Sequence, residues 1–162
     1  MSDLHIAVVG PGKPTAAEYD TAREVGVALA EEGAVVVCGG LGGVMEAACR
    51  GAKSAGGATV GILPGTREED ANEWVDLPLP TGLGEARNAI IVRVAAGVVA
   101  VGGGYGTLSE IAFAMRAGKP VVGIGTWEIA RGGEPDVSIV RAAGAREAVA
   151  LVLPPAASSA QA

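Results

Sequence analysis

The chain has 162 residues, 49% of them hydrophobic but only 3% aromatic, with 26 glycines and a formal net charge of −6. That length suits one domain with a sheet covered on both faces, and so much glycine excludes a plain helical bundle. A negative balance argues against a general affinity for nucleic acid, which calls for clustered Lys and Arg, but not against one small phosphorylated molecule held by backbone amides.

Met1-Ser2-Asp3-Leu4-His5 lacks the basic-then-apolar layout of a secretory signal, and no apolar run nears the roughly 20 residues that span a bilayer. A cytoplasmic location away from membranes is therefore expected. Leu4 to Val9 predicts a first strand that includes His5 and stops at Gly10-Pro11-Gly12. Between Thr15 and Glu32, Ala22, Val25, Leu29 and Ala30 recur at helical spacing, and Gly33 is a stop signal. Ala34 to Cys38 predicts a second strand, Gly39-Gly40-Leu41-Gly42-Gly43 a turn, Val44 to Ala55 a helix and Ala58 to Leu63 a third strand. This β-α-β-α-β order calls for a parallel sheet with right-handed crossovers. Cys38 and Cys49 make neither a disulfide framework nor a zinc site. Cys49 reads as a small apolar helix residue; Cys38 reads as packed core in preference to a crevice lining.

From Pro64 to Pro80 the pattern breaks, with a solvated loop over residues 66–72 and a short strand from Trp74 to Leu77. A helix from Gly84 to Ala96, a strand from Val98 to Val101, a helix from Thr107 to Ala117 and a strand from Pro120 to Ile124 follow. Trp127 to Pro135 fits no single element, and a last helix is predicted from Ser138 to Leu153. The tail from Pro154 to Ala162 has nothing to bury and is expected to be disordered. Residues 1–153 thus form one α/β domain, with 154–162 as its tail.

Three glycine clusters fall at strand ends: Gly10-Pro11-Gly12, Gly39 to Gly43, and Gly102-Gly103-Gly104. In a parallel sheet all carboxyl ends share one edge, so the clusters should converge on one crevice. A single cluster would be a tight turn; three on one edge favour a binding site. The last is the most informative. The apolar run Val98 to Val101 reads as a buried strand, and Tyr105-Gly106-Thr107-Leu108-Ser109-Glu110 then opens a helix whose free N–H groups attract anions. Thr107-x-x-Glu110 also matches a capping box, in which both side chains merely satisfy backbone donors. A strand-end position after glycines favours a functional role, with Thr107 free to do both. Arg87 and Asn88 open their helix where an arginine is unfavourable for the dipole, which hints at a grip on phosphate or on Glu110. A solvated arginine is the equal alternative. The usual dinucleotide fingerprint is excluded, since Gly10-Pro11-Gly12-Lys13-Pro14-Thr15 lacks its third glycine and Gly39 follows Cys38 where an acid should stand. Gly12-Lys13 and Gly118-Lys119 precede proline, which excludes a P-loop, and one histidine with two cysteines leaves no metal-ligating cluster.

Gly39-Gly40-Leu41-Gly42-Gly43-Val44-Met45, Glu85-Ala86-Arg87-Asn88 and Gly102-Gly103-Gly104-Tyr105-Gly106-Thr107-Leu108-Ser109-Glu110 resemble, in that order, motifs of the Lonely Guy (LOG) family, long mislabelled as lysine decarboxylases. The resemblance runs from about Ile6 to Ile124. It implies a three-layer Rossmann-like fold, a homodimer or higher homo-oligomer, and binding of nucleoside monophosphates, whose base the family's enzymes release by hydrolysis. By position it places the phosphate motif on Gly103, Gly104, Gly106 and Thr107, the catalytic glutamate on Glu110 and the catalytic arginine on Arg87. No cofactor is implied as a requirement, and nothing here supports the pyridoxal phosphate that the decarboxylase label suggests. The chain departs from the motifs at Gly102 (usually proline), Asn88 (usually lysine) and Ser109 (usually the first of two glutamates), and it is shorter than typical hydrolases of the group. These features look closer to the branch that includes molybdenum cofactor carrier proteins, which bind a phosphorylated pterin and need not turn it over.

Two functions follow as expectations. In the first, the chain binds a nucleotide or molybdopterin-like phosphorylated ligand, with Gly103 to Thr107 holding phosphate, Gly10, Gly40 and Gly43 allowing close approach, and Arg87 and Asn88 covering the site. In the second, it is a phosphoribohydrolase in which Glu110 stabilises an oxocarbenium-like transition state or orients water while Arg87 fixes the phosphate and ribose. Whether the protein is an enzyme stays open between them.

Overall fold

A computed structural model describes residues 4–156. In chain order the elements are β1 (His5–Val9), α1 (Ala16–Glu31), β2 (Val35–Cys38), α2 (Val44–Ser54), β3 (Thr59–Leu63), β4 (Leu77–Pro80), α3 (Asn88–Val94), β5 (Gly97–Val101), α4 (Tyr105–Arg116), β6 (Val121–Ile124), β7 (Ile129–Arg131), β8 (Glu134–Asp136), β9 (Ile139–Arg141) and α5 (Ala145–Val152). Seven strands form one sheet in the order β4-β3-β2-β1-β5-β6-β9, with every neighbouring pair parallel. Strands β7 and β8 form a separate antiparallel hairpin.

The period of two along each strand divides the core into layers. Ile6 and Val8 of β1, with Val99 and Val101 of β5, pack under α1, α2 and α5. Ala7 and Val9, with Val98 and Ala100, pack under Ile91 and Val92 of α3 and Ile111 and Ala114 of α4. All five residues of β5 are buried, as the unbroken Val/Ala run requires of a central parallel strand. With so few aromatics, the layers close by bringing backbones together. A Cβ on Gly26 of α1 would stand 2.0 Å from the Ala48 carbonyl oxygen, and one on Gly51 of α2 would stand 1.9 Å from that of Arg23. Both glycines are there because α1 and α2 touch main chain to main chain.

The structure is a three-layer Rossmann-like α/β fold, as expected, with local departures. The segment expected to open the last helix is instead β9, which pairs with β6. Its Ile139-Val140 core is β-branched, and Gly144 separates it from α5. The short strand expected at Trp74–Leu77 lies at Leu77–Pro80, where edge placement tolerates two prolines. The helix expected from Gly84 begins as a 3-10 turn over Gly84–Arg87, and the loop at 66–72 holds another over Glu68–Asp70. The unassigned segment after Trp127 folds as the β7–β8 hairpin, whose turn residues Gly132 and Gly133 have φ of 59° and 86°. Two consecutive positive φ values match a type I′ turn, which Gly-Gly supplies without strain. The termini, with residues 157–162 of the expected tail, lie outside the described residues.

Candidate functional site

The three glycine clusters do meet at the carboxyl edge. A Cβ on Gly10 would stand 2.5 Å from the Val101 carbonyl oxygen, and one on Gly43 would stand 2.4 Å from that of Pro11. The first loop is therefore wedged between the loops after β2 and β5. At Gly40, φ is +77° and a side chain would strike Leu63. For Gly10, Gly40 and Gly43 the missing side chain makes room for neighbouring protein, so their role is to bring the loops together. Gly104 and Gly106 differ, because a Cβ there would meet nothing within 4 Å.

Helix α4 starts at Tyr105 with Gly104 as its N-cap residue and no side-chain cap. Its first internal bond is Leu108 N–H to the Gly104 carbonyl, 3.0 Å. Among the described residues, the amides of Gly103, Gly104, Tyr105, Gly106 and Thr107 donate no hydrogen bond. Five unpaired donors beside the positive end of a helix dipole form a cradle with the chemistry to hold an anion. The capping-box reading of Thr107 and Glu110 fails, because the helix begins two residues earlier and Thr107 lies inside its first turn. A true capping box sits on α1, where Thr15 and Glu18 satisfy one another's backbone amides at 2.9 and 3.2 Å.

Glu110 is 92% buried by its 8% exposure, and no hydrogen bond or ion pair reaches its carboxylate among the described residues. Burial pushes its pKa up to about 7, against the opposing pull of Arg87. A carboxyl group poised there can hold or release a proton near neutrality.

Arg87 is buried too, but its donors point into the protein. Its Nε donates to the Ile62 carbonyl at 2.8 Å, one terminal nitrogen to the Gly39 carbonyl at 3.3 Å and the other to Asn88 Oδ1. Desolvation holds its pKa below the ordinary arginine value, opposed by Glu110. Arg87 makes no hydrogen bond or ion pair with Glu110 among the described residues; it ties the ends of β2 and β3 together and lends Glu110 a positive field. From it a chain of contacts runs to the cradle: Asn88 Nδ2 donates to Ser109 Oγ at 3.1 Å, and Ser109 Oγ donates to the Gly106 carbonyl at 2.6 Å. Asn88 and Ser109, two positions at which the chain departs from the LOG motifs, are thus direct partners.

Cys38 faces the core. Its Sγ lies 3.5 Å from that of Cys49 and accepts from the Gly40 amide at 3.3 Å. No group of three or more His, Cys, Asp or Glu among the described residues is arranged to hold a metal ion.

Two site residues escaped the sequence reading. Asn72, within the segment read as a solvated loop, donates to the carbonyls of Leu41 (2.8 Å) and Gly40 (3.3 Å) and so pins the glycine loop after β2. Trp127 donates its indole N–H to the Gly104 carbonyl at 3.1 Å, and its ring lies 5.7 Å from that of Tyr105. The signal for Trp127 was rarity: the chain has only five aromatic residues, two Trp, two Tyr and one Phe.

Comparison with known proteins adds three relatives. The family described as SLOG cluster4 matches residues 3–153. A molybdenum cofactor binding protein from the phototrophic bacterium Rippkaea orientalis superposes with a TM-score of 0.84 at 34% identity, covering 94% of this chain and 96% of that one. The molybdenum cofactor carrier protein of Chlamydomonas reinhardtii gives 0.79 at 37%, covering 91% and 95%. A cytokinin riboside 5′-monophosphate phosphoribohydrolase from Mycobacterium tuberculosis is 34% identical over 136 residues, 77% of this chain and 72% of that protein.

Proposed function

Because the chain belongs to the SLOG cluster4 family, with a LOG-like fold, we propose that it binds a phosphorylated nucleotide or molybdopterin-like molecule at the carboxyl edge of its sheet. One observation carries this reading: five amides at the start of α4, and a buried carboxyl group one turn further on, have no hydrogen-bond partner among the described residues. The amides hold the phosphate, and Glu110, whose pKa is pushed up to about 7, donates in its protonated form to it or to the group next to it. Arg87, Asn88 and Ser109 keep the cradle and Glu110 in register. Likeness to two molybdenum cofactor proteins over nearly their whole length supports carriage of an intact ligand.

A second reading, phosphoribohydrolase activity, is favoured by the M. tuberculosis relative and by the poised Glu110. Against it stands Arg87, three of whose five N–H donors are already engaged within the protein. One experiment separates the readings. The purified protein is incubated with AMP and with dihydroneopterin monophosphate, and released base, ribose 5-phosphate and bound intact ligand are followed by mass spectrometry. Binding without release is the expected result. Release of base that Glu110→Gln abolishes would establish the hydrolase instead, and absence of any binding would overturn both.

A further inference from the structure

Next to the cradle, the carboxyl end of β6 opens into a cleft of about 840 Å3 between β6, the β7–β8 hairpin and β9. This is the volume range in which small-molecule sites enclose their ligands. Thr126, Trp127, Ile129, Ile139 and Val140 are among its walls. Trp127 separates cleft from cradle, its N–H fixed on the Gly104 carbonyl and its ring leaning on Tyr105 at 35°. Tyr105 is 84% exposed and follows the cradle's Gly104 directly. In a chain with five aromatics, two are placed against each other here, Trp127 half-buried at the margin of the core and Tyr105 exposed. An aromatic face held at the wall of a ligand-sized cleft is a stacking surface for a flat ring.

We propose that this cleft seats the planar heterocycle of the ligand, stacked on Trp127, while the phosphate occupies the amides of Gly103 to Thr107. The proposal rests on the anion-binding reading above and adds a direction to it. In the strand order, β6 and β9 lie on one side of β5, whereas β2 and β3, whose Gly39 and Ile62 carbonyls hold Arg87, lie on the other. Neighbouring strands are about 4.8 Å apart, so a ring in the cleft is separated from Arg87 by several strand widths. The bond between ring and side chain then lies on the β6 side of Arg87. A ligand seated this way is held and not cut.

Titration with three probes tests it: AMP, dihydroneopterin monophosphate, and ribose 5-phosphate, which has no ring to stack. Trp127→Leu removes the stacking face. Val140→Trp fills the cleft from an exposed position on β9 and leaves the Trp127–Gly104 bond intact. In both variants affinity for at least one ring-bearing probe should fall about tenfold, as loss of one aromatic stack does, and in Val140→Trp ribose 5-phosphate should bind within twofold of the parent. In a Trp74→Phe background, the ring-bearing probe that binds should also quench the remaining Trp127 emission. Unchanged affinity for both ring-bearing probes in the two variants, or an equal loss for ribose 5-phosphate in Val140→Trp, overturns the ring seat and leaves the cradle standing. If none of the three probes binds the unaltered protein, the anion reading itself falls, and this proposal with it.

Discussion

Glu110 is the residue on which pH should act most visibly. Its carboxyl is raised from 4.5 to about 7 by burial, so between those values the folded protein holds a proton that the unfolded chain releases. Stability from this group is therefore greatest below about pH 4.5 and declines as pH rises through 7, where the penalty levels off at roughly 3 kcal/mol. Glu110→Gln removes the penalty. Thermal melts should show the variant gaining several degrees over the parent at pH 8 and little at pH 5; equal shifts at both values would mean the carboxyl is not desolvated. The same titration sets the sign for binding. Above pH 7 an ionised Glu110 repels phosphate, so affinity should weaken as pH rises. The position of Glu110, one turn into the helix behind the glycine loop, was legible because glycines preceded it, whereas the inward turn of Arg87 was not. An arginine at a helix start reads the same whether it faces ligand or carbonyls, and Ile62 lies 25 positions away in the chain.

Among the elements, those bounded by glycine were read from the sequence nearly to the residue: β1, α1, β2, α2, β3 and β5 differ by a residue or two at their ends. The failures lie where local preference is ambiguous. Val137 to Ala142 carries apolar residues at a spacing that suits a helix, and only pairing with β6, a contact distant in sequence, makes part of it a strand. Asn72 was hidden because its partners, Gly40 and Leu41, are about thirty residues earlier. The closest element contact, α1 on α2, yields a direct test. Gly26→Val would drive a side chain into the Ala48 carbonyl, and separating the helices should cost about 3 kcal/mol or more. Chemical denaturation should show a lower midpoint with an unchanged slope. The same replacement at Gly12, where a Cβ meets nothing within 4 Å, should leave the midpoint nearly unaltered.

For the whole molecule, the outstanding expectation is pairing of two copies. Val94 of α3 and Phe113 of α4 remain exposed, and Phe113 lines a groove with Ala89 and Ala117. An isologous contact through these helices would cover that apolar surface. Light scattering after size exclusion should give twice the chain mass for the parent and the single-chain mass for Phe113→Glu; an unchanged mass in the variant would place the contact elsewhere. The outer strand at one margin, by contrast, is closed to association. The Thr81 amide reaches the Leu63 carbonyl, so by alternation Leu77 and Leu79 turn their amides to β3 while positions 78 and 80 turn outward. Both outward positions are prolines, so that side of β4 offers carbonyls but no N–H at two successive outward sites. A stranger's strand cannot zip onto such a border. The prolines thus act as a selvedge, keeping a chain rich in Val and Ala from knitting into fibres at high concentration.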